Sequence, residues 1–529
     1  MIKSVYIENF RVFQSFGFDL NRDLNIVVGN NEAGKSTILE AIALALTKRI
    51  GGKLIENEIS PYLFNKTTAE AYLNDLKAGK KPALPKILIE LYLEDSAEVA
   101  PLRGSNNSQK ADCPGIKLEI VFDEDYKEEY ADLCKYAAEQ KVVPAEYYKA
   151  NWFSFANNGI TARSLPATVF HIDATTIRLQ SGTDYYIQNI ISEGLTPKER
   201  AALSVAYRKL KEQFSGEASI KGINAGLTKG AITEKALTIG VDISKKANWE
   251  NNLLPHLDEL PFQLAGKGEQ TALKIMLALN RKAKDANIIL IEEPENHLSF
   301  SSMAKLISKI AGLCGGKQII IATHSAYVLN KLGIDKVLLL HDSKAASLRG
   351  LPADTYDYFK KLSGYDTLRL ILADKAILVE GPSDELIVQR AYLDVHNKMP
   401  IEDGIDVINV RGLSFERFLQ IAAMLKKPVV VVTDNDGNYK RRIVEKYEPY
   451  SKLAHIKICA DSDDFANTLE PQILKCNDWA VLNKLFGAGC ADQASLLEYM
   501  LANKTEWALK IFDALTPIKM PNYIYDAVK

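Results

Sequence analysis

Apolar and polar residues alternate at the start of the chain in VYIENF. They then gather into a short apolar run, LNIVVG, which passes through a glycine-rich turn into STILEAIALAL, whose apolar spacing is helical. Strand, strand, turn and helix over residues 1–50 predict the opening of an α/β fold. From 51 to 165 the pattern is mixed: strands such as ILIELYL surround a polar loop, RGSNNSQKADCPG, at 103–115, and no chemistry is assigned to it. Residues 183–250, rich in Lys, Glu, Ala and Leu with helical spacing around 197–214, read either as a helical dimerisation arm or as a solvated helical face. Apolar strands return with IILI (288–291) and QIIIA (318–322). Near residue 370 a second parallel α/β unit begins, with AILVE (376–380), IDVINV (405–410) and PVVVVTD (428–434) as its strands. The expected division is 1–182, an insertion at 183–250, 251–365, and a separate domain at 366–529.

Composition changes this picture little. A chain of 529 residues holds about three or four domains' worth of material. Its 47% apolar and 25% charged residues exclude disorder, collagen and coiled-coil rods. The 65 basic and 67 acidic residues nearly balance, so total charge points to no charged partner. The six cysteines are scattered without a CxxC pair, which predicts reduced thiols rather than disulfides or a zinc ribbon. With neither a signal-like start nor an apolar run of about 18 residues, a soluble cytoplasmic protein with no membrane contact is expected.

The segment GNNEAGKST fits GxxxxGK[ST] and lies where its mechanics require, between a buried strand and a helix. Backbone N–H groups from Gly29, Asn30, Asn31, Glu32, Ala33, Gly34 and Thr37 would cradle phosphates, Lys35 would reach the β and γ phosphates, and Ser36 would ligate Mg²⁺. NIILIEEPENHL supplies partner acids at the end of a strand, with Glu292 on the metal side and Glu293 as general base. Upstream, LAGKGEQ places Gly266, Lys267 and Gly268 at a helix start, and downstream ATHS places His324 just past a strand.

This order resembles the ATP-binding-cassette (ABC) ATPases of the SMC and RecF type, with IENFRVF similar to their first strand and Arg11 to the arginine near the nucleotide. The resemblance implies an ABC-type P-loop ATPase interrupted by the helical insertion, with ATP held between two copies in a homodimer or higher oligomer. Two positions depart from the pattern. The usual Asp of the acid strand is Glu292, which keeps a carboxylate for Mg²⁺, and the signature serine is replaced within Gly266–Gly268, which puts the contact to the γ-phosphate across subunits in doubt.

In the last third, ILVEGPSDE ends a strand with Glu380, VVVTDNDG ends another with Asp434 and Asp436, and TLE ends at Glu470. Acids at the C-terminal ends of adjacent parallel strands converge in the ligand crevice of such sheets, and the i, i+2 spacing of Asp434 and Asp436 is expected to send both carboxylates to one side. Hard oxygen ligands on one rim suit Mg²⁺ or Mn²⁺ and metal-assisted phosphodiester cleavage. Beyond residue 365 acids outnumber bases 24 to 20, and five of those acids, these four and Asp384, are candidate metal ligands. Near neutrality therefore does not argue against nucleic acid. Lys440, Arg441 and Arg442 follow directly, read either as a path for a phosphate backbone or as an ordinary helix start. Asp461, Asp463 and Asp464 read as a solvated acidic loop, from which one carboxylate can join a second metal.

Glu-Gly-x-x-Asp after one strand and Asp-x-Asp after another resembles the Rossmann-like TOPRIM domain. An SMC-like ATPase followed by TOPRIM resembles the overcoming-lysogenization-defect (OLD) nuclease family. That resemblance implies Glu380, Asp384, Asp434, Asp436 and Glu470 as metal ligands, with Glu380 also catalytic, and Lys504 as the lysine stabilising the transition-state phosphate. It further implies a DNA endonuclease or nickase governed by ATP and serving anti-phage defence, alone or with a partner protein or nucleic acid. Two other readings stay open: cleavage of RNA such as transfer RNA, and a nucleotide-switched scaffold or sensor whose TOPRIM acids are structural. Topoisomerase and primase are disfavoured, because no strand-passage domain and no zinc-binding cysteines are visible.

Overall fold

The computed structural model describes residues 1–136, 139–161, 164–165, 167, 169–173, 179–180, 183–184, 195–228, 237–244, 249, 255–280, 288–313, 316–341, 344–361, 367–411 and 414–529. These form two compact units, one of residues 1–25 and 36–323, the other of 26–35 and 324–529.

In the first unit, β1 (Ile2–Phe10) and β2 (Phe13–Asp19) form an antiparallel hairpin whose inward positions are Val5, Ile7, Phe16 and Phe18. The chain then enters β3 (Leu24–Gly29), buried throughout, and the helix α1 (Lys35–Thr47). The hairpin extends into an antiparallel sheet, β2–β1–β4–β5–β6, through β4 (Ile87–Leu93), β5 (Cys113–Phe122) and β6 (Tyr148–Ser154). The polar loop at 103–115 works inward: Ser108 N donates to the buried Glu90 carboxylate at 3.0 and 3.1 Å, satisfying a charge that β4 carries into the core.

Strand β7 (Val169–Asp173) pairs in parallel with a later strand described below. In the insertion, α2 (Pro197–Ser215) starts at a capping box between Thr196 and Glu199, and α3 (Ala218–Thr228) follows. The arm expected over 183–250 is described only at 183–184, 195–228, 237–244 and 249, and the rest lies outside the described residues. Helix α2 exposes Val205, Leu210 and Phe214.

Helix α4 (Lys267–Asn280) precedes β8 (Ile288–Glu292), α5 (Phe300–Leu313) and β9 (Gln318–Ala322). Strands β7, β8 and β9 form a parallel ladder that aligns Asp173, Glu292 and Ala322 at one end. Strands β8 and β9 carry apolar runs because both faces of a parallel sheet are covered.

In the second unit, β3 from Ile26 onward pairs in parallel with β10 (Val337–His341), which follows α6 (Ala326–Leu332) and pairs with β11 (Lys344–Ser347). Helices α7 (Ala353–Lys361) and α8 (Thr367–Leu372) lead to a four-stranded, all-parallel sheet in the order β13–β12–β14–β15. Its members are β12 (Lys375–Val379), β13 (Ile405–Asn409), β14 (Val429–Val432) and β15 (Ile456–Cys459), with α9 (Pro382–His396) and α10 (Phe415–Leu425) as crossover helices. Helices α11 (Leu469–Cys476), α12 (Lys504–Phe512) and α13 (Asn522–Val528) complete the core with Trp507, Phe486, Ile473 and Ile524. Among the described residues no helix is long and apolar enough to cross a membrane.

Candidate functional site

The phosphate-loop sequence folds as its spacing predicts. Gly29 closes β3 where a β-carbon would stand 2.9 Å from the Leu340 carbonyl, so no side chain fits. Glu32 and Gly34 take left-handed backbone conformations, φ 65° and 98°, which wrap the loop ahead of α1. The Lys35 ammonium donates to the carbonyls of Gly29 and Asn30, both at 3.0 Å, and is buried across the mouth of the loop. Ser36 is exposed on the first turn of α1 and Thr37 is buried.

In the first unit, Arg11 sits in the β1–β2 turn at φ 50°, its N–H bonded to the Leu63 carbonyl at 2.8 Å. Its guanidinium grips Glu40 of α1 at 2.8 and 3.0 Å, so this arginine is fixed to the helix that begins at the phosphate loop. Glu292 ends β8, and its Oε1 lies 2.7 Å from Nε2 of His171 on β7. Glu293 turns to φ 45°, and its carboxylate accepts from the Asn296 amide at 2.5 Å. Gly266 and Lys267 are exposed at the start of α4, while Gly268 is buried against the turn after β8, where a β-carbon would stand 2.3 Å from the His297 carbonyl. The signature turn and the acid strand's turn are thus in direct packing contact. In the second unit, His324 is exposed just before Ser325, which caps α6 by accepting from Val328 N at 3.3 Å.

The carboxylates cluster at the C-terminal end of the parallel sheet. Glu380, just past β12, accepts from the Thr433 hydroxyl and from Asp434 N at 3.1 Å. Asp384 sits in the first turn of α9 and accepts from Gly381 N at 3.1 Å. Glu470, 3% exposed, lies in the first turn of α11, with Lys504 Nζ 3.7 Å from its Oε1. The Ser383 hydroxyl donates to the Lys504 carbonyl at 3.0 Å and so ties the start of α12 to the start of α9.

Burial first, then the charges of Glu380 and Glu470, hold Asp384 up to about 7 despite its backbone hydrogen bond. Burial first, then Asp384, Glu380, Glu470 and Asp436, push Asp434 up to about 8. These acids feel one another's charge at the buried end of the sheet. Asp434 Oδ1 is buried with no hydrogen-bond partner. Among the described residues no three or more acid, imidazole or thiol groups are arranged, as they stand, to hold a metal ion. The donor set is hard oxygen throughout, and it fits a divalent cation that would draw the carboxylates together.

Asp436 departs from the strand-based expectation. Strand β14 stops at Val432, so the alternation that would send Asp434 and Asp436 to one side no longer acts. Asp436 occupies a left-handed turn (φ 49°) with Gly437 (φ 76°), is exposed, and lies 3.8 Å from Arg442. The acidic loop stays at the surface, and two of its acids are also bonded. Asp463 pairs with Lys475, and Asp464 accepts from Tyr439 N at 2.7 Å.

Sequence reasoning missed His171, Thr433 and Tyr447. Tyr447 is 3% exposed, and burial, followed by the nearby charge of Glu380, raises its hydroxyl well above the ordinary tyrosine range. The strand FHID at 170–173 is the one sequence signal for His171.

Together, the phosphate loop with its acid strand and the acid-rimmed parallel sheet define a P-loop ATPase joined to a TOPRIM domain. The family models agree. Residues 371–436 match the TOPRIM domain of overcoming-lysogenization-defect-like proteins. Residues 4–144 match an AAA domain, and residues 208–330 match an AAA domain named also for the AbiEii toxin of type IV toxin–antitoxin systems. The chain thus joins an AAA-type ATPase region to an OLD-like TOPRIM domain.

It is similar to an ATP/GTP phosphatase of Helicobacter pylori, 24% identical over 61% of this chain and 85% of that protein. It is also similar to the DNA replication and repair protein RecF of Clostridium acetobutylicum, 33% identical over 17% of this chain and 24% of that protein. The C-terminal region of the Xanthomonas campestris OLD protein aligns at 19% identity over 30% of this chain and 92% of that one, with a TM-score of 0.24.

Proposed function

We propose that this protein is an ATP-governed, divalent-metal-dependent DNA endonuclease or nickase acting in anti-phage defence. The observation that carries the reading is the mutual charge of Glu380, Asp384, Asp434 and Glu470 at the end of one parallel sheet, with a buried Asp434 oxygen left without a partner. Mg²⁺ or Mn²⁺ held there supplies an activated water and charge neutralisation for phosphodiester hydrolysis. Glu380, Asp384, Asp434, Asp436 and Glu470 hold the cation, and Thr433 fixes the Glu380 carboxylate. Lys504, whose side chain is 62% exposed at the rim, offers a mobile point charge to the phosphate as negative charge develops.

In the ATPase part, the loop 29–37 and Lys35 bind the phosphates, Ser36 and Glu292 hold their Mg²⁺, Glu293 is the base, His324 senses the γ-phosphate and Arg11 orients α1. Gly266, Lys267 and Gly268 present the signature turn to the nucleotide of a second copy, which makes the working unit a homodimer or higher oligomer. The whole is assigned to the cytoplasm, alone or with a defence partner. The domains are placed at 1–182, 183–250, 251–365 and 366–529.

The test offers supercoiled plasmid and labelled RNA to the protein with Mg²⁺, Mn²⁺ or chelator. Metal-dependent conversion of plasmid to open circles is expected. Cleavage of RNA alone would move the substrate class, and cleavage of neither would favour a switched scaffold.

A second expectation follows from the raised acids. Between about pH 4 and about pH 8 the folded, metal-free protein retains protons on Asp384 and Asp434 that the unfolded chain has released. Its stability from these groups is present at the acid end and is lost as pH rises through about 7 and about 8. A bound cation replaces the protons, so Mn²⁺ should raise the melting temperature more at about pH 8.5 than at about pH 5.5. An equal shift at both values would mean that the cation does not reach these carboxylates.

A further inference from the structure

Phe465 is 98% exposed, yet the loop that carries it is fastened to the turn bearing Asp434 and Asp436. The buried Asn435 amide donates to the carbonyls of Asp461 and Asp463, both at 2.9 Å. The Asp464 carboxylate accepts from Tyr439 N, and Phe465 N is itself held by Asp463 Oδ1 at 3.0 Å. A single exposed apolar side chain is ordinary on a protein surface. Here the backbone beneath it is held on both sides, with the Gln472 amide donating to the Ala466 carbonyl at 2.8 Å, so the ring projects from an anchored loop. It stands two residues, about 7 Å of extended chain at most, from the Asp463 carbonyl that Asn435 holds.

Directly after Tyr439, to which that loop is bonded, come three exposed cations, Lys440, Arg441 and Arg442, the last 3.8 Å from Asp436, at the start of a π-helical turn, Lys440–Glu445. π-helical turns are rare and concentrate at functional sites. An exposed aromatic side chain and a short run of cations, on two segments that the Asp464–Tyr439 bond joins, match one strand of nucleic acid, whose phosphates take the cations and whose bases take the ring. A protein partner would instead need continuous apolar surface, and around Phe465 the sequence places Asp463, Asp464 and Asn467. A base inside a duplex has both faces covered, so the ring selects an unpaired one.

We propose that Phe465 is a stacking platform for an unpaired base of the strand whose phosphates Lys440, Arg441 and Arg442 hold at the rim of the carboxylate site. This rests on the nuclease reading above and deepens it, naming DNA with single-stranded or frayed segments as the substrate.

The test is binding of a single-stranded oligodeoxynucleotide containing 2-aminopurine, with Ca²⁺ as the cation, followed by fluorescence for wild type, Phe465→Ala and Phe465→Trp. Melting curves of all three check the fold, which loss of a solvent-exposed ring should leave intact. Wild type should quench the probe and bind it more tightly than the matching duplex. Phe465→Ala should bind about five- to a hundredfold more weakly, and Phe465→Trp should restore both affinity and quenching. Unchanged affinity and quenching in Phe465→Ala, in a protein that still nicks plasmid, overturns the stacking role alone. Wild type that binds neither DNA form overturns the nuclease reading together with it.

Discussion

Replacing Glu380 by Gln is expected to lower metal-dependent DNA cutting by about a hundredfold or more, while the metal-free protein at about pH 8 melts at a higher temperature than wild type. The amide keeps an oxygen where the Thr433 hydroxyl and Asp434 N donate, so the local hydrogen bonds survive. What disappears is a negative charge that raises both Asp384 and Asp434. With less repulsion those acids ionise at lower cost in the folded state, and stability rises at the alkaline end, where wild type carries that cost in full. Loss of activity together with a gain in stability separates a ligand from a structural acid. A structural Glu380 would give lower stability with cutting retained.

Lys35→Ala should reduce ATP turnover by about a hundred- to a thousandfold and remove any response of DNA cutting to ATP. The ammonium lies on the Gly29 and Asn30 carbonyls at 3.0 Å, inside the turn that phosphates would fill, and no other cation belongs to the loop 29–34. Measuring turnover and plasmid cutting on the same preparation checks both arms. Turnover at wild-type rate would show that nucleotide is bound elsewhere.

Much of this was readable from local sequence because the phosphate loop, the acid-ended strand and the Glu380 and Asp434 turns each obey short-range rules. Gly29, Gly34 and Lys35 sit in a strand–turn–helix that the spacing alone predicts. Position within a cluster is a different matter. His171 meets Glu292 only because β7 and β8 pair in parallel, joining residues 121 apart, and no local periodicity carries that register. Tyr447 and Thr433 are ordinary residues until the sheet brings them beside Glu380. Asp436 lies beyond Val432, where the chain already turns, so strand alternation does not set its direction. The grouping of residues 26–35 with the second unit likewise depends on the β3–β10 ladder, whose strands are some three hundred residues apart.

Calorimetric titration of Mn²⁺ into wild type and Glu380→Gln at about pH 6.5, where both acids still hold protons, in two buffers of different ionisation enthalpy, bears most directly on the central claim. Wild type should bind the cation with release of protons from Asp384 and Asp434, and Glu380→Gln should bind at least about tenfold more weakly. Equal binding by the two proteins, or binding without proton release, would contradict a metal site built on these carboxylates.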